Sequence, residues 1–257
     1  MNLKRNLISF QTILVSEIVR FSRIWSQTFV PPVITMSLYF LIIGGFIGSH
    51  LGKIGPVTFM QYLAPGLIMM SIITASYANV VASFFGLRFQ RSIEELLIAP
   101  VPNYLVLLGF ISGGILRGLI TGFLICIVAL FFTHLAIYNF VISISIAVLT
   151  ASLFSLAGFT NALFAKKFDD IQIVPTFILT PLTYLGGVFY SIHQLSPFWQ
   201  HISQYNPILY IVNTFRYGIL GITDLSIFNA FIIIILSNFL LFSLNIFLLR
   251  IGVGIRT

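Results

Sequence analysis

Six stretches of this chain are each apolar for about the 20 residues that a helix needs to cross the hydrocarbon of a bilayer, and no other feature constrains its fold so strongly. They cover residues 29–48, 57–87, 104–132, 138–165, 171–190 and 226–249. Where no water reaches, every backbone N–H and C=O must find a partner inside the segment, so apolar runs of this length are read as helices. With 58% hydrophobic and only 7% charged residues, the chain lies far from soluble domains, of which about a quarter is charged. The expected fold class is all-α and polytopic, with residues 1–257 forming a single membrane domain. Three of the runs, 57–87, 104–132 and 138–165, exceed the bilayer thickness and have to tilt or project from it. Pro31 and Pro32 fall in the first turn of the first run, where proline is tolerated. Pro65, Pro175 and Pro181 fall inside runs and predict kinks.

The net charge of +7 is spread singly and in pairs over the ends of the apolar runs, a pattern of membrane orientation rather than of nucleic-acid binding. If the N-terminus is cytoplasmic, six crossings return the C-terminus to the same side. Lys4, Arg5, Arg20, Arg23, Arg88, Arg91, Lys166, Lys167, Arg250 and Arg256 then lie inside, with only Lys53 and Arg216 outside. Asp169 and Asp170 are expected to cap the fifth run. All six acids, Glu17, Glu94, Glu95, Asp169, Asp170 and Asp224, map to or beyond the ends of the runs, and His50, His134, His193 and His201 map to the outer surface. Carriers that move protons rely on such groups within the bundle, so either the energy for transport comes from elsewhere or transport is passive. Arg117 is the one charge inside a run. Either it snorkels to the cytoplasmic boundary or it faces an aqueous cavity and attracts an anionic group. Tyr39, Tyr62, Tyr184 and Phe189 are the aromatic candidates for lining a path with it, although aromatic residues in spans also serve as packing and interfacial anchors.

Three segments outside the spans carry further information. Residues 3–27 alternate an apolar face (Leu7, Phe10, Leu14, Ile18, Phe21, Trp25) with a polar one, which predicts an amphipathic helix in the plane of the headgroups. Residues 191–225 are too long for a turn and too apolar for a solvated loop. Two half-helices broken near Asn206-Pro207 suit them, re-entering the outer leaflet where protein covers their irregular backbone. Between the second and third runs, Ser92 and Glu95 fit a capping box, and Pro100 and Pro102 stop the helix after about two turns. Residues 92–99 thus form a rigid charged knob suited to engaging something soluble, with a plain solvated turn as the alternative. In the fourth run Ala147, Ala151, Ser155, Gly158 and Ala162 recur at helical steps as a small-residue packing face.

Motifs for chemistry within the chain are lacking. There is no His-Glu-x-x-His metal site and no Gly-x-x-x-x-Gly-Lys-Ser/Thr phosphate loop, and the lone Cys126 forms no internal disulfide. No catalytic residue and no metal site is assigned, and a machine driven by ATP would need a partner chain.

The run Leu185-Gly186-Gly187-Val188, Leu195-Ser196, Pro207-Ile208-Leu209-Tyr210 and Arg216 resembles the pattern of the type-2 ABC transporter permeases. Val30 to Met36, Ile93 to Pro100, and Phe168-Asp169-Asp170 with Pro175-Thr176-Phe177 resemble a bacterial inner-membrane branch of that family, and the likeness covers essentially the whole chain. The resemblance implies an in-plane connecting helix, six spans, a cytoplasmic coupling helix and a re-entrant outer segment. It implies a cytoplasmic-membrane location and a permease homodimer that binds a separate ATPase subunit and exports lipids, polysaccharides or drug-like amphiphiles. ATP and Mg would be held by that partner and no cofactor by this chain. Carried over by residue, Arg91, Ser92, Ile93, Glu94, Glu95, Leu96, Leu97 and Ala99 would form the ATPase-coupling contact. The competing readings are an ion-gradient-driven carrier, an intramembrane hydrolase and a non-transporting membrane anchor for a soluble ATPase.

Overall fold

In the computed structural model, which describes residues 3–90, 92 and 101–254, helices follow one another with a single short hairpin between them. Helix α1, Leu3–Arg23, stops where Ile24 leaves the helical region (φ −110°, ψ 35°), and α2, Trp25–Tyr39, restarts the chain. It continues through π-helical turns at Phe40–Ile47 into α3, Gly48–Leu51. The hairpin pairs β1, Lys53–Ile54, with β2, Val57–Thr58, and delivers the chain to α4, Phe59–Phe89. Thr58 and Gln61 start α4 with a capping box: the Gln61 N–H donates to the Thr58 hydroxyl at 3.3 Å, and the Thr58 N–H to the Gln61 amide oxygen at 3.0 Å. Then come α5, Asn103–Phe132, and α6, Phe140–Phe164.

Five helical stretches are long and apolar enough to cross a membrane: Trp25–Ile47, Phe59–Phe89, Asn103–Phe132, Phe140–Phe164 and Ile227–Ile251. The run expected at 171–190 takes a different form. It is three helical pieces of five residues each, α7 (Asp170–Val174), a π turn (Pro175–Leu179) and α8 (Thr180–Tyr184). Prolines at 175 and 181 remove two backbone donors, and the Thr180 hydroxyl accommodates the widened turn by donating to the Pro175 carbonyl at 2.9 Å. Gly187, at φ 68°, lies in the turn that follows. Residues 191–225 hold α9, Pro197–Gln204, and α10, Pro207–Leu220, with the Asn206 side chain accepting from the Ile208 N–H at 3.0 Å. The last helix is α11, Ile227–Ile251.

Helix α4 is the most buried of the five long helices and packs chiefly on α5 and α6. The close approach comes from small residues. Ala147, Ala151, Ser155, Gly158 and Ala162 are all buried, and a Cβ on Gly158 would sit 2.6 Å from the Tyr77 carbonyl oxygen. Polar side chains add interhelical bonds that are effective where no water competes. On α11, the amides of Asn245 and Asn238 donate to the α6 carbonyls of Leu156 and Leu149, each at 3.1 Å.

At the other end of α6, Arg88 donates to the carbonyls of Ala162, Leu163 (3.0 Å) and Ala165 (3.2 Å). A cation there both satisfies orphan acceptors and complements the helix dipole. The expected caps at Asp169 and Asp170 are corrected. Asp169 makes no side-chain cap bond, while the Asp170 carboxylate accepts from the N–H groups of Lys166 (2.8 Å) and Lys167 (2.9 Å), tightening the turn before its own helix. These bonds hold the Asp170 carboxyl below its ordinary range. The turn is therefore tied at neutral pH and loses its tie only as pH falls below the usual carboxylate range.

Gly158→Val should cost about 1–3 kcal/mol through overpacking against α4, seen as a lower unfolding midpoint of the detergent-solubilised protein. An unchanged midpoint would mean that α4 and α6 do not meet at this glycine.

Candidate functional site

Helix α10 buries three polar side chains among its apolar ones, Asn213, Thr214 and Arg216, and the Arg216 guanidinium organises one end of the bundle. The side chain is 1% exposed. Its Nε donates to the Tyr62 carbonyl at 3.3 Å, Nη2 donates to the Gly187 carbonyl at 2.7 Å, and the guanidinium lies 3.7 Å from the centroid of the Tyr62 ring. Carbonyl dipoles and a π face replace the lost water. The Tyr62 hydroxyl donates in turn to the Tyr190 carbonyl at 3.3 Å, and Ser191 donates to Asp224 at 2.8 Å. The start of α4, the turn at 185–191, α10 and the turn before α11 are thereby joined. The expectation for Arg216 concerned only the side of the membrane; a charge tally does not register whether neighbouring carbonyls can solvate a cation, as they do here. The legible signal was its position within a helix too apolar to stand in water.

A second site lies lower, between α4, α5 and the α7–α8 helix. A cavity of about 310 Å³ is walled by Met70, Thr74 and Tyr77 of α4 and by Gln172, Leu179 and Thr183 across from them, with Arg117 of α5 also in its lining. Among the described residues nothing hydrogen-bonds to the buried Arg117 Nε. Arg117 thus lines a cavity. Beside it, Glu17 of α1 is 2% exposed, a burial that the position of α1 ahead of the first long apolar helix did not announce. Helix α1 packs on α5, and a Cβ on Gly113 would meet the Glu17 Cβ at 2.6 Å. The missing side chain at Gly113 is what admits the carboxylate. Glu17 is held by Arg20 at 2.8 Å, by the Asn79 amide at 3.0 Å and by the Ser83 hydroxyl, and Arg20 also donates to the Asn79 side-chain oxygen at 2.8 Å. Asn79 and Gly113 each lie ten residues from the near end of their helix, about 15 Å along its axis at 1.5 Å per residue. The α1 periodicity missed this because Glu17, Ile13 and Phe21 share the buried face, while Leu7 and Trp25 of the expected apolar face are 58% and 62% exposed.

Of the aromatic candidates, Tyr39, Tyr184 and Phe189 come together, with Phe189 5.9 Å from Tyr39 and 5.7 Å from Tyr184 between ring centroids. Tyr62 instead belongs to the Arg216 cluster, and none of the four lines the Arg117 cavity. Of the expected coupling residues, Arg91, Ile93, Glu94, Glu95, Leu96, Leu97 and Ala99 lie outside the described residues, as does the proposed Ser92–Glu95 capping pair. Ser92 itself is half-buried in a turn. Among the described residues no three His, Cys, Asp or Glu side chains converge as metal ligands.

Comparison with known proteins reaches nearly the whole chain. Residues 8–220 match the family described as ABC-2 type transporter. The inner membrane transport permease YadH of Escherichia coli (strain K12) is 51% identical over 250 residues, covering 97% of this chain and 98% of the relative. Nodulation protein J of Neorhizobium galegae is 25% identical over 185 residues, covering 72% of this chain and 71% of its own.

Arg216→Ala should destabilise the protein by about 2–5 kcal/mol, since it leaves a cavity and two carbonyls without their cation. Thermal unfolding in detergent measures this, and Arg216→Lys should recover only part, because an ammonium cannot reach both carbonyls in the guanidinium geometry.

Proposed function

This chain belongs to the ABC-2 type transporter family, and from that premise we propose that it is the membrane subunit of an ATP-driven exporter in a bacterial inner membrane. In this reading the chain is a homodimer half whose energy comes from a separate ATPase subunit, which holds ATP and Mg. Both termini are cytoplasmic. The α7–α8 helix serves as a short sixth crossing, and α9 with α10 re-enters the outer leaflet. The cargo is an amphiphile of the lipid, polysaccharide or drug-like class. Its route runs along the groove at Arg117 and past the aromatic group of Tyr39, Tyr184 and Phe189, with Tyr62 acting from behind through Arg216.

The observation that carries the reading is the Arg88 contact with the end of α6. Residues 91–99, the coupling segment in this proposal, follow directly on a helix whose last turn is tied to three carbonyls of α6. A displacement of that segment by the ATPase would therefore move α4 and α6 as one body. Helix α1 would follow, since Glu17 and Arg20 are bound to α4. An ion-driven carrier is less well supported even with Glu17 buried, because that carboxylate is already neutralised by Arg20.

Glu94→Ala with Glu95→Ala should leave membrane insertion intact and weaken co-purification with the ATPase subunit on the order of tenfold, the scale of one or two lost charge-assisted contacts. Arg88→Ala should preserve that co-purification yet uncouple ATP hydrolysis from transport. Unchanged association of the double variant, or the lack of any nucleotide-hydrolysing companion, would overturn the proposal.

A further inference from the structure

The charge balance around the α4 cavity is incomplete. Two guanidiniums, Arg20 and Arg117, stand within electrostatic reach of one carboxylate, Glu17, and that carboxylate is consumed by Arg20, Asn79 and Ser83. The remaining described acids, Asp169, Asp170 and Asp224, contribute nothing here: Asp170 ties the turn at 166–170, Asp224 accepts from Ser191 at the outer clasp, and Asp169 does not line the cavity. Arg117 therefore brings a full positive charge to a partly enclosed space with its Nε unbonded. Arg117 is half-buried with its Nε fully enclosed; a cation so placed is normally paired, and one without a partner marks a place where a partner arrives.

The rest of the cavity narrows what that partner can be. Gln172 offers an amide, Met70 and Leu179 offer apolar walls, and the hydroxyls of Thr74, Thr180 and Thr183, whose hydrogens already go to backbone carbonyls, add polar lining without a free donor, so that the strong donor to an anion here is Arg117. Along α4 the lining extends from Met70 to Ala82, about 18 Å at the helical rise, so the site is elongated. Its volume of about 310 Å³ is at the small end for ligand pockets, enough for a headgroup and the first part of a chain but not for a whole lipid. Thr74 and Thr180 are exposed at its rim, which leaves an exit for a tail.

We propose that this groove binds the single anionic group, carboxylate or phosphate, of an amphipathic molecule, with the Arg117 guanidinium as its anchor and the tail leaving between Thr74 and Thr180. The proposal rests on the exporter reading for its meaning as a cargo site, but binding itself is testable on the purified permease alone. The chain, with Cys126→Ala and Thr74→Cys, is placed in phosphatidylcholine nanodiscs, and maleimide labelling of residue 74 is timed with dodecyl phosphate, dodecanol or dodecyltrimethylammonium present. Dodecyl phosphate should slow labelling on the order of tenfold, the scale of a charge-assisted hydrogen bond, and the neutral and cationic probes should not. Arg117→Gln should abolish the difference and Arg117→Lys should retain part of it. Slowing in phosphatidylglycerol nanodiscs without added probe would identify a bilayer headgroup as the occupant, and slowing only by dodecyl phosphate would identify a free amphiphile. Equal protection by dodecanol overturns the proposal, and this comparison needs no Arg117 variant to fold. Charge-selective protection in a permease that binds no ATPase would leave this site standing and remove the exporter reading; the reverse result would remove only this site.

Discussion

Without water, a polar group in this bundle can be satisfied only by another part of the protein, and the arrangement of the helices follows from how its guanidiniums meet that demand. Arg216 takes carbonyls from α4 and from the 185–191 turn and lies over the Tyr62 ring. Arg88 takes the free carbonyls at the end of α6. Arg20 takes a carboxylate and an amide. Each joins segments distant in sequence, because a planar cation with several donors can bridge acceptors that no apolar contact would hold in register. Among the described residues the Nε of Arg117 has no such partner, and neither has the Nε of Arg20, whose bonds all run through Nη2.

These ties make two rigid ends with α4 between them. At one end α4, α10 and the outer turns are joined through Arg216 and Tyr62; at the other, α4, α6 and α1 are joined through Arg88 and the Glu17 network. Close packing of α4 against Gly118 and Gly158 leaves little room for sliding between the ends. Motion imposed at residues 91–100 would then pass along α4 as a body rather than dissipate in local rearrangement. The groove at Arg117 lies beside that helix, between the two ends. Binding there and movement below would act on the same element, which is what coupling between sites requires physically.

The α7–α8 helix differs from the five long apolar helices in ways that suit a wall that moves. It is short, interrupted by a π turn at Pro175–Leu179 and ended by the turn that holds Gly187. Pro175 and Pro181 remove backbone bonds that would otherwise stiffen it. Much of its outer surface, including Ile173, Phe177 and Ile178, is uncovered within one chain.

Much of the architecture was legible in the sequence, because a bilayer leaves a chain few choices. Apolar run lengths gave four of the long helices to within about two residues at either end, the steps of Ala147 to Ala162 marked the packing face of α6, and Asn206-Pro207 marked the break before α10. Family membership was legible in the Gly186-Gly187 and Pro207 to Arg216 spacing. What only the tertiary structure decided was the fate of the charged side chains. Glu17 looked interfacial and is buried, Arg216 is the most enclosed cation among the described residues, Asp170 looked like a helix cap and ties the preceding turn, and Arg117 lines a cavity beside α4. Hydropathy is a property of a segment summed along the chain, so it can be read in one dimension. Whether a charge can be buried depends on which carbonyls, rings and counter-charges stand within about 3 Å of it, and those come from residues tens to more than a hundred positions away.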